Sequence, residues 1–175
     1  VRVLNLWRVK NYPELSIYWT LSFSSGTLET NKRKQRTRVL DKKLIVGNWK
    51  MNLNIHEASL YVHKLADSIK IHRNVEVVLA PTLLSLPTLS LQVNRKQFKL
   101  AAQNFYWRDE GAFTGEVSAR QLSGLVDYAI IGHSERRHIF GENDKEIRAK
   151  MQAAVRNGIT PILCVGETAH ERSDN

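Results

Sequence analysis

The chain has 175 residues, with 26 Lys and Arg against 17 Asp and Glu for a net charge of +9, and 42% of it is apolar. That composition excludes the disordered and fibrous classes, and no window nears the roughly 20 apolar residues that a membrane-spanning helix needs. The single cysteine, Cys164, excludes an internal disulfide and an all-cysteine zinc site. No N-x-S/T acceptor occurs, so the expected setting is a reducing cytoplasm.

Residues 1–40 carry 8 basic and 2 acidic side chains, and so +6 of the +9 charge. This stretch holds Trp7, Tyr12, Tyr18, Trp19 and Phe23, a Ser/Thr/Gly patch, and the run from Lys32 to Arg38. It shows no sustained period of 2 or 3.6 and no capping signal, so residues 1–41 are read as a basic extension without assigned structure. Three readings stay open for it. A disordered or spurious extension stands first, ahead of an organelle-targeting peptide and an arm that stacks on single-stranded nucleic acid. The remaining 135 residues carry only +3, so nucleic-acid binding by the main domain is not expected.

From Lys42 to Asn175 short apolar runs alternate with longer amphipathic segments. The runs are Leu44 to Val46, Val75 to Ala80, Leu100 to Ala102, Tyr128 to Ile131 and Pro161 to Val165. Each is too short for a helix and apolar on both faces, as strands of a covered parallel sheet are. Between the first two, Asn54 and Glu57 form a capping-box start, with Leu60, Tyr61, Leu65 and Ile69 on one helical face. Pro87 shortens any helix in the second connection, and the third is loop from Phe105 to Gly115 with a short helix over Ser118 to Ser123. In the fourth, Asn143 and Glu146 open a helix with Ile147, Met151, Ala154 and Val155 as its stripe, and Gly158 closes it. Five successive βα steps make an α/β protein, either an open sheet or a (β/α) barrel. No G-x-G-x-x-G or G-x-x-x-x-G-K-[ST] supports a nucleotide-binding open sheet.

In either architecture ligands bind at the carboxyl ends of the strands. The polar residues there are Asn48 and Lys50, Gln103 and Asn104, His133 and Glu135, and Glu167. A lysine past a strand is commonly a solvated charge, but Lys50 lies between Trp49 and Met51, which favours partial burial and a negative partner. His133 reads equally as a structural histidine or an acid-base group. Glu135, Arg136 and Arg137 look like an ion-pair cluster that supports structure, and Cys164 looks like a small hydrophobe within a strand. A cation, an imidazole and amides at one rim suit chemistry on a small anion. The six histidines show no ligand spacing, so no metal is expected.

Gly47-Asn48-Trp49-Lys50-Met51-Asn52, Ala102-Gln103-Asn104, Thr114-Gly115-Glu116-Val117-Ser118, Ile130-Ile131-Gly132-His133-Ser134-Glu135-Arg136-Arg137 and Cys164-Val165-Gly166-Glu167 stand in fixed order. Together they resemble the triosephosphate isomerase family over residues 42–175. The resemblance implies an incomplete TIM (β/α)8 barrel of about five βα units, acting without metal or cofactor. It implies interconversion of dihydroxyacetone phosphate and glyceraldehyde 3-phosphate through an enediolate, as in glycolysis and gluconeogenesis. On the matching positions, Lys50 becomes the electrostatic anchor, Asn48 a substrate-binding amide, and His133 the catalytic electrophile, neutral as this family is known to use it. Glu135 and Asn104 become supporting residues, and Thr114 the residue that reaches into the second subunit of a homodimer. The family's barrel takes about 250 residues, and its general-base glutamate and phosphate loops have no counterpart here. The resemblance therefore implies that this chain is inactive alone, with the first and fifth runs as bare edges and interior faces open to water. The alternative is a non-catalytic interaction module.

Overall fold

The computed structural model describes residues 43–166, together with the backbone of two strands before them. Those strands are β1 (Val3–Val9) and β2 (Tyr12–Thr20). Five more follow: β3 (Lys43–Asn48), β4 (Val75–Ala80), β5 (Phe98–Ala102), β6 (Tyr128–Ile131) and β7 (Thr160–Leu163). The helices are α1 (Ile55–Ser68), α2 (Leu86–Gln92), α3 (Ala119–Leu122), α4 (Ser134–His138) and α5 (Asp144–Arg156). All seven strands form one sheet in chain order, with β3 to β7 mutually parallel and β1 and β2 antiparallel.

Local chemistry sets the helix starts. Asn54, Ser118 and Asn143 each close a complete capping box, with Glu57, Gln121 and Glu146 reaching back to the cap. Pro87 lies in the first turn of α2, where its missing N–H costs nothing. The predicted stripes are right in period and partly wrong in membership. Helix α1 buries Ala58 and Val62 while Leu60 is exposed, and α5 buries Ile147, Lys150, Ala153 and Ala154 while Val155 is exposed.

Strand side chains go alternately to two apolar clusters. One joins Leu79, Leu100, Ala102, Ala129 and Ile131 to the helices through Ala58, Val62, Leu86, Leu89, Ile147 and Ala154. The other contains strand residues only: Val46, Val78, Ala80, Ala101, Ile130 and Ile162, one or more from each of the five parallel strands. That cluster is buried with no helix residue in it, as the inward face of a curled barrel wall is. The fold is thus five βα units of a TIM-type barrel.

Three expectations are corrected here. The extension is not structureless, because β1 and β2 pair from Val3↔Thr20 to Val9↔Tyr12. Register shifts between Leu4 and Trp7 and between Arg8 and Val9 interrupt the ladder, and such bulges erase the period of 2 that would have revealed the strands. The first run is not a bare edge, since β2 covers β3 from Thr20↔Leu44 to Ser16↔Asn48. The expectation of an interior open to water holds only in part: Val46, Val78, Ala80, Ala101, Ile130 and Ile162 are buried, while Leu44, Tyr128 and Cys164 beside them are half-buried. The basic run at 32–38 and Glu167 lie outside the described residues.

At the amino ends of the strands, far along the sheet from Asn48 and His133, Asp127 accepts from Arg95 at 2.7 Å and Lys99 at 3.2 Å, and the Tyr128 hydroxyl bonds Glu76. These pairs tie β4, β5 and β6 together at the end that serves stability in this architecture. The helix-side cluster contributes more. Phe98 is 1% exposed and Leu91 is 91% exposed, so Phe98→Ala should cost roughly 3–5 kcal/mol in a urea melt and Leu91→Ala about 0.5 kcal/mol or less.

Candidate active site at the strand carboxyl ends

Asn48 ends β3, and its side chain is buried with its Oδ1 accepting the Lys50 backbone N–H at 3.1 Å. That turn throws Lys50 into the left-handed region, φ 54°, which an L-residue adopts at a cost of about 1–2 kcal/mol. The surroundings hold it there. Gln103, just past β5, donates one amide to the Lys50 carbonyl at 2.9 Å and to the Ala80 carbonyl at 2.8 Å, tying three strand ends together. The Lys50 ammonium then reaches Glu135 Oε1 at 2.7 Å.

His133 follows β6 and caps α4, 7% exposed. Gly132 before it has φ 69°, and a Cβ there would lie 2.9 Å from the Arg137 guanidinium and 3.1 Å from Ile147, so only glycine fits. The His133 ring has two competing contacts. Its Nδ1 accepts the Glu135 backbone N–H at 3.2 Å and lies 3.6 Å from Glu135 Oε2. An amide N–H can only donate, so Nδ1 must carry the lone pair and the carboxylate contact cannot be a hydrogen bond in this state. Burial pushes the imidazole below its ordinary pKa, Glu135 opposes that, and the Lys50 charge reinforces it. The histidine is therefore neutral, with its proton on Nε2.

Asn48, Lys50 and His133, the three residues at the centre of the resemblance, do meet, and Glu135 is the bridge. The cluster of Glu135, Arg136 and Arg137 expected from sequence does not form. Glu135 goes to Lys50, Arg136 to Glu142 at 2.5 Å, and Arg137 to Asp144 at 2.8 Å and the Gly132 carbonyl at 2.8 Å. Asn104 takes the Lys150 ammonium on its Oδ1 at 2.7 Å, which places it in a buried network behind α4. Thr114 is exposed on the turn of the loop after β5, which Phe113 and Trp107 brace by packing on Tyr106. Burial pushes the Cys164 thiol up to about 11, so it stays protonated. Among the described residues no group of three or more His, Cys, Asp and Glu is gathered to hold a metal.

Sequence reading missed the pair behind the site, Lys150 and Glu142. Lys150 Nζ lies 2.9 Å from Glu142 Oε2, and the side chains are 5% and 3% exposed. The signal was a lysine at i+3 from Ile147 on the buried face of α5. Burial would raise the Glu142 carboxyl, but hydrogen bonds from Lys150 and Arg136 outweigh it and hold the carboxyl below its ordinary value. The pull on Lys150 is different: burial keeps its ammonium below the usual lysine range despite Glu142. The geometry is that of a charged pair, with the Lys150 ammonium donating to both Glu142 Oε2 and Asn104 Oδ1.

Two measurements check this electrostatic picture. Imidazole 15N shifts should show His133 as the Nε2–H tautomer, titrating below the ordinary value of about 6.5. Glu142→Gln should destabilise by roughly 3 kcal/mol at pH 7, because it strands a buried ammonium. A carboxyl lowered in the fold stabilises above its unfolded pKa and loses that contribution as pH falls through the folded one. The gap between parent and variant in urea melts should therefore shrink below about pH 4.5.

Comparison with known proteins agrees with this geometry. The sequence model of the family described as Triosephosphate isomerase matches residues 43–175. The triosephosphate isomerase of Ligilactobacillus salivarius is 45% identical over 130 residues, which are 74% of this chain and 52% of that protein. The triosephosphate isomerase of Pelobacter propionicus is 46% identical over 130 residues, 74% of this chain and 52% of its own length. That of Clostridium acetobutylicum is 46% identical over 133 residues, 75% of this chain and 53% of its own length. The chain spans about half the length of the curated relatives it matches. With the motifs, the curled parallel sheet and this match in agreement, the chain belongs to the triosephosphate isomerase family.

Proposed function

We propose that this chain carries the charge-stabilising half of a site that interconverts dihydroxyacetone phosphate and glyceraldehyde 3-phosphate through an enediolate. The observation that supports it most is the neutral His133 beside the Lys50 ammonium. A neutral Nε2–H can donate to a carbonyl oxygen as it becomes an oxyanion, without giving up a proton it does not need to lose. The ammonium supplies positive charge for the same oxygen and for an anionic substrate, and Asn48 sets the turn that aims it. Asn104 holds Lys150, and Glu135 positions Lys50 through its carboxylate and the His133 ring through its backbone N–H. Aldose-ketose isomerisation also needs a base for the carbon-bound proton. The family resemblance assigns that base to the part of the barrel that this chain does not span, and Glu135 and Glu142 are both engaged by cations. The chain alone is accordingly expected to show no turnover above the uncatalysed rate.

The family's homodimer fits the exposed loop that carries Phe113 and Thr114 and the exposed Met51, since apolar side chains presented to solvent on ordered loops suit a protein contact. A glycolytic role would place the protein in the cytoplasm. No helix among the described residues is long and apolar enough to cross a membrane.

A chimera tests the site. Residues 43–166 of this chain, grafted in place of the matching part of a full-length bacterial relative, should give an active isomerase. In it, Lys50→Met and His133→Ala should each lower kcat/KM by about 10²–10³-fold, the range for removing one oxyanion-stabilising group. A chimera that folds and turns over unaffected by either substitution would refute the assignment.

A further inference from the structure

We propose that the rim at the amino ends of the parallel strands binds the phosphate backbone of single-stranded nucleic acid. This rim is the end of the sheet opposite Lys50 and His133, so the inference is independent of the isomerase reading. Residues 43–166 carry 16 basic and 11 acidic side chains. Six of the basic ones, Lys43, Lys70, Arg73, Arg95, Lys96 and Lys99, lie at the start of β3 or β5 or in the turns that lead into β4 and β5. Two acidic ones, Glu76 and Asp127, share that end. The rim thus holds +4 of the +5 net charge of residues 43–166, and the remainder of the domain cancels almost completely. A total taken along the sequence conceals that segregation.

Contacts within the fold gather these charges. The Gln97 side-chain amide donates to the Ala66 carbonyl at 2.8 Å and the Ile69 carbonyl at 2.6 Å. That docks the turn holding Arg95 and Lys96 against the end of α1, which Lys70 and Arg73 follow. The Lys43 N–H donates to the Asn74 carbonyl at 2.8 Å, which sets Lys43 beside the turn that carries Arg73. Lys43, Lys70, Arg73 and Lys96 are exposed and have no ion-pair partner among the described residues. Uncompensated like charges held together by the backbone repel one another, and a polyanion relieves that repulsion while releasing its own counterions.

Shape selects among polyanions. A polar groove of about 650 Å³ opens at this end, lined by Glu76, Arg95, Lys99, Asp127, Tyr128 and Thr160. Its carboxylates are turned to protein donors, Asp127 to Arg95 and Lys99 and Glu76 to the Tyr128 hydroxyl, so the exposed cations beside it set the sign of the local field. A flexible single strand can lay its backbone along a cationic groove. A duplex, stiff over about 150 base pairs, does not bend into so small a groove. A bilayer surface meets the exposed cations but does not enter the groove. The sequence that leads into β3 is itself basic, with Lys42 next to Lys43 and five more basic residues from Lys32 to Arg38. That run is left unchanged in every variant below, so differences between variants report on the rim.

The experiment uses the full chain and reads binding by anisotropy of a fluorescein-labelled oligothymidylate of about 12 nucleotides. Between about 50 and 200 mM salt, the logarithm of the affinity should fall against the logarithm of salt with a slope of about −3 or steeper, as four or more phosphate contacts require. The rim variant Arg73→Gln, Lys96→Gln removes two exposed charges and leaves the Asp127 pairs intact. At about 50 mM salt it should bind at least tenfold more weakly than the parent, with a slope shallower by about 1.4. The control Lys145→Gln, Arg148→Gln removes the same two residue types from the exposed face of α5 and should bind within about twofold of the parent. Urea melts of both variants should match the parent's midpoint, since each side chain replaced is exposed. Absence of saturable binding at about 50 mM salt would overturn the proposal. So would a rim variant that binds as the parent does, or equal weakening in the rim and control variants. Vesicles of phosphatidylserine and phosphatidylcholine test the membrane alternative. Vesicle binding that the rim substitutions abolish while oligonucleotide affinity stays unchanged would overturn the proposal in favour of a lipid surface.

Discussion

The contact between the Lys50 ammonium and the Glu135 carboxylate, 2.7 Å long, joins two βα units that are otherwise separated by β4 and β5. Everything proposed for the site depends on it. Lys50 is held in a left-handed conformation by neighbours that include Asn48 on its N–H, Gln103 on its carbonyl and Glu135 on its side chain. Strain of this kind persists only where the surroundings over-determine it. The result is a cation that points at a defined place, without the rotamer freedom a surface lysine keeps.

Glu135 is in turn fixed from behind. Its neighbour Arg136 is bound to Glu142, Glu142 to Lys150, and Lys150 to Asn104, a chain of charge-assisted contacts running from α4 through α5 to the end of β5. A buried ion pair seldom adds net stability over an apolar replacement. Here the network joins elements whose relative positions set where His133 and Lys50 face. His133 itself is kept neutral mainly by burial, with an ammonium close by that makes a second positive charge unwelcome. The same burial that stabilises the fold thus favours the neutral ring, and the Glu135 N–H on Nδ1 selects its tautomer.

Curling five parallel strands gives a sheet with two ends to satisfy, and the chain treats them differently. The β3 end carries an antiparallel hairpin, while β7 has one strand neighbour among the described residues. Inner-face residues of all five parallel strands are nonetheless buried, with Leu44, Tyr128 and Cys164 half-buried beside them.

Much of this was legible along the chain. The five parallel strands, the capping boxes at Asn54 and Asn143, and the rim positions of Asn48, Lys50 and His133 follow from local rules: runs apolar on both faces, cap chemistry, and polar residues just past strand ends. Period alone identified the helices but not every buried position, because the widths of the faces are set by what packs on them, and that left Leu60 and Val155 in the wrong place. The partners of Glu135, Arg136 and Arg137 could not be read from their adjacency, since consecutive helical residues point about 100° apart and each meets a different neighbour. The pairing of β2 with β3 was equally hidden, because bulges broke the alternation and ladder partners so far apart in sequence leave no local mark. Sequence alone determined which residues could serve chemistry. Tertiary structure decided which of them meet, because ion pairs, burial and proton location depend on distances that only the folded chain sets.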